Sequence, residues 1–180
     1  MIYASTDLRN EHEAILYGLD ILEAIAKRLA NAQPADVEDL AGMQDFLKSF
    51  ADRCHHGKEE GLYFPALEKA GVPRENGPIG VMLTEHVEGR GWIAQMGEAL
   101  TGAFAPEKFA TAATAYVTLL RNHIAKENQV LFAMGDQRLP ATQQAELVEA
   151  FEKFEAEVMG PDVHEHYHQM LEHLGQKYLG

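Results

Sequence analysis

Apolar residues recur along most of the chain at alternating spacings of four and three, the pattern of amphipathic helices that lay one stripe against a partner. A helix over 5–30 carries Leu8, His12, Ile15, Leu19, Leu22, Ala26 and Leu29 on its stripe. The break at 31–34 ends it, and a second helix is expected to start near Pro34, because proline in a first turn costs no backbone hydrogen bond. Its stripe is Leu40, Leu47, Ala51, His55, Glu59 and Leu62. Pro65 is expected to kink or end this helix, and Gly71, Pro73 and Gly77 mark the loop 71–78. A third helix over 79–100 presents Ile79, Met82, His86, Gly89, Ile93, Met96 and Leu100. A fourth, after Gly102 and Pro106, presents Phe109, Ala113, Tyr116, Leu120, His123, Glu127, Val130 and Met134.

The rest of the chain reads differently. Pro140 opens a fifth helix with Leu147, Phe151, Phe154 and Val158 on one side, and Gly160-Pro161 separates it from a sixth with His164, Tyr167, Leu171, Leu174 and Tyr178. Two short helices bury little alone, so they are expected to pack on the bundle, over an open end, and to limit solvent access to it. The predicted fold class is all-α: an up-and-down four-helix bundle over 1–135 with two additional C-terminal helices over 136–180, in one domain spanning 1–180.

Each of the four bundle stripes contains one histidine, and two add a carboxylate one turn later. One imidazole on an apolar stripe reads by itself as a buried histidine satisfied by a neighbour. A single His-x-x-x-acid pair says as little, since with 9 His and 28 acids in 180 residues about 1.4 such pairs arise by chance at helical spacing. Four occur, at His55, His56, His123 and His168. The information lies in a longer repeat: residues 55–64 match residues 123–132 without a gap, each copy reading His, two residues, Lys-Glu, two residues, an aliphatic, an apolar residue, Phe. The alignment pairs His55 and Glu59 with His123 and Glu127, leaving His56 with Glu60 as the second choice. Residues four apart share a helix face, so each copy delivers an imidazole and a carboxylate to one point. Seam positions are core positions, where an unpaired carboxylate costs several kcal/mol, so the constellation calls for cations.

Composition narrows the chemistry. A formal charge of −13 disfavours nucleic acid and anionic membrane surfaces as partners and suits a collector of cations. One cysteine, Cys54, allows no internal disulfide and no paired thiolate site, and it reads as an inert core thiol. No signal segment and no run of apolar residues long enough to span a membrane is seen, so a cytoplasmic protein is expected. Four imidazoles and two carboxylates suit divalent iron or its neighbours, including zinc or manganese, whereas calcium and magnesium prefer an oxygen shell. Two ions match six donors on four helices better than one.

The order His12 on the first helix, His55-x-x-x-Glu59 on the second, His86 on the third and His123-x-x-x-Glu127 on the fourth resembles the hemerythrin-like HHE cation-binding domain. Lys58-Glu59-Glu60 leading to Phe64-Pro65, and Glu85-His86, are similar to that family's second- and third-helix motifs. The resemblance covers about residues 5–135. It implies a non-haem centre of two iron ions, with His12, His55, His86 and His123 as imidazole ligands and Glu59 and Glu127 as bridges, that binds dioxygen or nitric oxide.

Two departures stand out. Oxygen-carrying hemerythrins place a second third-helix histidine where this chain has Arg90, and their last carboxylate is an Asp five residues after its histidine, where this chain has Glu127 at four. The gap left by Arg90 would be filled by water, by His56 or Glu60, or by His164 from the tail. His56 and Glu60 lie about 100° around the helix from the repeat pair and read as groups that orient the ligands. The tail histidines read as a packed or solvated helix face, and Arg90 as pairing with an acid such as Glu13 or reaching solvent. The functional expectation is a di-iron protein that binds or senses dioxygen, nitric oxide or iron, its protein partner unknown. The alternatives are a redox enzyme, as similarity to iron-centre repair proteins implies, and a structural or storage site for zinc or manganese.

Overall fold

The computed structural model describes residues 3–160 and 163–180, and Pro161, part of the break expected before the last helix, lies outside them. Among the described residues all regular structure is helical. Helix α1 is Ala4–Ala30; α2 runs on through Val37–Phe46, Leu47–His56, Glu59–Tyr63 and Phe64–Lys69; α3 is Pro78–Leu100. Helix α4 joins Pro106–Lys126, Glu127–Leu131 and Phe132–Arg138, and α5 (Ala141–Val158) and α6 (Val163–Tyr178) follow.

Two boundaries differ from the sequence expectation. Helix α2 starts at Val37, not near Pro34, because the Asp36 carboxylate accepts from the Glu38 N–H at 3.1 Å and supplies the cap. Nor does Pro65 end it. The preceding turn, Glu59–Tyr63, is π-helical, with the Phe64 N–H reaching back five residues to the Glu59 carbonyl, and a helix already out of the usual register absorbs a residue that lacks an N–H. The matching stretch of α4, Glu127–Leu131, is π-helical too. A π-turn holds one extra residue, so the buried face shifts by one position beyond it. Leu62 and Val130, expected on the stripes, are half-buried and exposed, while Tyr63 and Leu131 are buried in their place.

The apolar core comes in two clusters with a polar layer between them. One gathers Ile15, Leu19, Phe46, Ala51, Ile93, Tyr116 and Leu120, the other Leu8, Tyr63, Phe64, Met82, Leu131 and Phe132. Helix α1 passes from the second cluster (Leu8) through His12 to the first (Ile15); α2 passes from the first (Ala51) through His55 and Glu59 to the second (Tyr63). Helix α3 repeats the order of α1, from Met82 through His86 to Ile93, and α4 repeats that of α2, from Leu120 through His123 and Glu127 to Leu131. Helix α4 packs against both α1 and α3, and α2 against α3 and α1.

The C-terminal helices lie along the flank made by α1 and α2 instead of over an end. Helix α5 puts Leu147 and Phe151 into one cluster, and α6 puts Tyr167, Leu171 and Leu174 into the other. At Ala4 the backbone N–H donates to Gln144 Oε1 at 2.8 Å, tying the first turn of the chain to α5. Among the described residues no helix is long and apolar enough to cross a membrane.

Gly135 in α4 faces the buried Tyr63 hydroxyl so closely that an added Cβ would overlap it and press on Leu67. Gly61, exposed in α2, has nothing within 4 Å of an added Cβ. Gly135→Ala is therefore expected to destabilise by about 1–3 kcal/mol as an overpacked core site. Gly61→Ala should stabilise by about 0.5–1 kcal/mol through helix propensity alone. Urea unfolding of both variants checks the contrast, and equal effects would contradict it.

Candidate metal centre

In the layer between the two clusters the structure brings together all six residues nominated by spacing. His12, His55, Glu59 and Glu127 are 0% exposed, and His86 and His123 1%. Their donor atoms form two groups that share Glu59. In one, atoms of His12, His55, Glu59 and Glu127 lie within 4.8 Å of one another; in the other, atoms of His56, Glu59, His86 and His123 do. His12 Nε2 and His55 Nε2 are 3.0 Å apart, and His86 Nε2 and His123 Nε2 3.1 Å. Glu127 Oε2 stands 3.3 Å from both His12 Nε2 and His123 Nε2. Glu59 turns Oε1 to His55 Nε2 at 3.5 Å and Oε2 to His86 Nε2 at 3.4 Å. Each carboxylate thus faces both groups.

The outer nitrogens explain why the inner ones converge. His55 Nδ1 pairs with Glu11 Oε2 at 2.7 Å, His86 Nδ1 with Glu60 Oε1 at 2.7 Å, His123 Nδ1 with Glu85 Oε2 at 2.9 Å, and His12 Nδ1 with Asn128 Oδ1 at 2.8 Å. All four partners are acceptors, so each Nδ1 carries the proton and each Nε2 offers its lone pair to the centre. Each partner belongs to another helix, and the set closes on itself: α1 orients the histidine of α2, α2 that of α3, α3 that of α4, and α4 that of α1. Three of the four partners are carboxylates with cations behind them. Lys58 reaches Glu11 at 2.5 Å, Arg90 reaches Glu60 at 2.8 Å, and Lys126 pairs with Glu85.

The layer has an internal two-fold pattern. Glu11-His12 of α1 corresponds to Glu85-His86 of α3, and His55, Lys58 and Glu59 of α2 to His123, Lys126 and Glu127 of α4. In each copy of the repeat, the lysine pairs with the glutamate that orients the histidine of that same copy.

Charge follows from these contacts. Burial alone would raise the Glu11 carboxyl, but the hydrogen bond from His55 and the Lys58 charge outweigh it and hold it at about 2. Burial likewise disfavours charge on His123, yet the Glu127 carboxylate, with help from Glu85, raises its imidazole to about 10. His55 and His86 are raised in the same way, against burial, by Glu59 with Glu11 and by Glu59 with Glu60. Glu127 is held far below the carboxylate range, burial being overcome by His123 and His12. His56 goes the other way: burial, and then the positive charge of His86 and His123, push it well below the usual imidazole range.

Apart from the imidazole Nε2 atoms 3.3–3.5 Å away, the described residues supply the carboxylates no proton donor. Both oxygens of Glu59 and both of Glu127 are buried without a hydrogen-bond partner. Protons on the raised imidazoles balance them in the bare protein; with the rings neutral, four such atoms in a dry layer would cost several kcal/mol, and a cation is the group that satisfies them all. The spacing agrees: two imidazole nitrogens about 2.1 Å from one ion and at right angles to each other stand about 3.0 Å apart. The donor set fits a pair of divalent ions.

The remaining candidates fall in place around this centre. Glu60 contacts His86 from outside, as an orienting group. Arg90 pairs neither with Glu13 nor with solvent alone: its Nε donates to Asp52 at 2.8 Å and its Nη2 to Glu60. His164 is not at the centre. Its Nε2 is 2.9 Å from Glu155, in a second convergence with Glu11 and Cys54. The Lys58 ammonium reaches Glu11 at 2.5 Å and Glu155 at 3.4 Å, so that group already has its cation. Burial pushes the Cys54 thiol up to about 12, and the carboxylates around it add to the shift. The orienting roles of Glu11, Glu85 and Asn128 escaped the sequence reading. The available signal was adjacency, since each sits beside a nominated residue of its own helix while serving a histidine of another.

No curated protein and no solved structure matches the chain. The sequence model of the hemerythrin HHE cation binding domain matches residues 4–135, the stretch that contains every residue of the centre, and the chain belongs to that family.

Proposed function

We propose that the protein holds two iron ions in this layer and uses them to bind or sense a small gas, dioxygen or nitric oxide. The observation that carries the reading is the set of four buried carboxylate oxygens without hydrogen-bond partners, ringed by imidazole nitrogens whose other side is protonated and fixed. His12 and His55 would hold one ion, His86 and His123 the other, and Glu59 and Glu127 would serve both. Two imidazoles with carboxylate oxygens are the donor set that non-haem ferrous iron takes with positions left open, and thiolate is absent from it. Iron so held supplies reversible binding of diatomic ligands and one-electron chemistry. The chain's own part is to exclude water with the apolar clusters on either side, fix each imidazole through its outer nitrogen, and keep a counter-charge behind three of the four orienting groups. The alternating order in which the four helices cross the two clusters supports an up-and-down arrangement. The single buried thiol suits a cytoplasmic setting.

The test is to load apo protein anaerobically with ferrous iron, count iron per chain, and record absorption before oxygen, after it and after evacuation, then repeat with nitric oxide. Two irons with bands that evacuation erases support the binding reading. Bands that persist while substrate is consumed would move the protein to redox turnover. Fewer than two irons and no bands would end the di-iron reading in favour of a structural zinc or manganese site.

Glu59→Ala and Glu127→Ala are each expected to lose at least one iron and to abolish most of the rise in melting temperature that iron gives the wild type, because binding energy in such a layer is also folding energy. Iron content equal to wild type in both would contradict the assignment.

A pH dependence follows from the raised imidazoles. An imidazole ordinarily near 6.5 that rises to about 10 in the folded apo state, as at His123, lends stability that is full below 6.5 and lost as pH climbs through 10. Metal needs the neutral ring and expels those protons. The apo melting temperature should therefore fall from pH 6.5 to pH 10, while metal affinity rises and titration at pH 7 releases protons. Calorimetry in buffers of different ionisation enthalpy reads the release, and none at pH 7 would refute the account.

A further inference from the structure

The two-fold pattern of the layer is broken at the residue after each repeat histidine. In α2 that residue is His56; in α4 it is Ile124, which joins an apolar cluster. His56 is 4% exposed, and its donor atom lies within 4.8 Å of those of Glu59, His86 and His123. Three imidazoles therefore gather on this side: the His56 and His86 rings stack at 3.8 Å within 16° of parallel, and ring centres are 4.8 Å apart for His86 and His123 and 5.6 Å for His56 and His123. The other half has only the His12–His55 pair, at 4.6 Å. His56 turns Nδ1 to Asp52 Oδ1 at 3.3 Å, and Asp52 is in turn gripped by Arg90 Nε at 2.8 and 3.1 Å. With Nδ1 directed to the carboxylate, Nε2 is the nitrogen left for the centre.

We propose that His56 is a fifth imidazole ligand, completing the His86–His123 half, and that Arg90 holds it in place through Asp52. This rests on the dinuclear reading above. The gap opened by Arg90 on α3 is closed from α2, one residue past the repeat histidine, and Arg90 itself anchors the residue that closes it. Packing alone does not account for the arrangement. A ring that only filled space against His86 would need no carboxylate behind it, and an apolar side chain such as Ile124 serves at the matching site.

The variant that separates the two roles is His56→Phe, which keeps an aromatic ring stacked on His86 and removes the donor. Stepwise titration of the full-length apo protein with cobalt(II), followed by visible absorption and X-ray absorption at the cobalt edge, gives both affinity and imidazole number. Wild type should take two ions with five imidazoles between them. His56→Phe should leave the first ion in place, weaken the second by about 10–100-fold or more, the loss seen even when only an orienting partner is removed, and drop the imidazole number by one. Adding Arg90→His to His56→Phe should restore both, since position 90 lies one turn from His86 on the same helix face. Apo melting temperature, compared across the three proteins, shows whether a loss reflects folding; if His56→Phe unfolds, His56→Gln takes its place. Two ions at wild-type affinity and an unchanged spectrum in His56→Phe would overturn the proposal. A wild type that holds a single ion would defeat the dinuclear reading, and His56→Phe would still decide: loss of that ion keeps His56 as a ligand, and its retention removes it.

Discussion

Two carboxylates that the fold buries with only imidazole nitrogens to face set the terms for everything around them. Glu59 and Glu127 sit between apolar clusters, and apart from imidazole Nε2 atoms 3.3–3.5 Å away their oxygens have no hydrogen-bond partner among the described residues. Four imidazoles converge on them, and those imidazoles are held by acceptors that three cations balance in turn. Remove the carboxylates and the layer loses the reason for its histidines; remove the outer partners and the histidines lose their direction. The energy that such a layer costs in the bare protein is what makes it a receptor for cations.

The layer is also a joint between four helices that makes each depend on another. Glu11 stands beside His12 yet serves His55, and Asn128 stands beside Glu127 yet serves His12. The circuit runs once around the bundle and closes. Its exception is chemical: the α4-to-α1 link is a neutral amide, where the other three are carboxylates.

Much of this was legible in the chain. Alternation of fours and threes gave four helices and placed a histidine in each, and the ten-residue repeat selected His55 over His56 and Glu59 over Glu60 as the paired positions. Those six residues meet in the structure. Illegible were features that depend on neighbours far apart in sequence. Arg90 gave no sign that Asp52, 38 residues earlier, would receive it, and nothing marked Glu11 as a partner of His55. His164 stood among the candidates for the gap, although the tail histidines read as a packed or solvated face, because its helix face alone cannot show that it turns to Glu155. The tail's placement along the flank needed the third dimension as well: both of its helices carry apolar stripes, but a stripe does not name the surface it covers.

The π-turns were missed for a different reason, and they bear on how this protein tolerates change. A periodicity of 3.6 assumes that every residue advances the helix equally, whereas α2 winds wider over Leu47–His56, and both α2 and α4 do so just where Glu59 and Glu127 sit. Downstream of the wide turn, Tyr63, Phe64, Leu131 and Phe132 face inward because of the extra residue. Deleting one residue within the wide turn would return the helix to ordinary winding and leave the apolar face beyond it pointing inward, whereas deleting one from a regular turn would swing the remainder by about 100° and turn that face outward. The loop 71–77 and the segment 101–105 have no such bookkeeping to keep. In this chain residue count in the regular turns of α2 and α4 is as much a part of the centre as residue identity, and insertions or deletions among related sequences should spare those turns while accumulating in the wide turns and the connections.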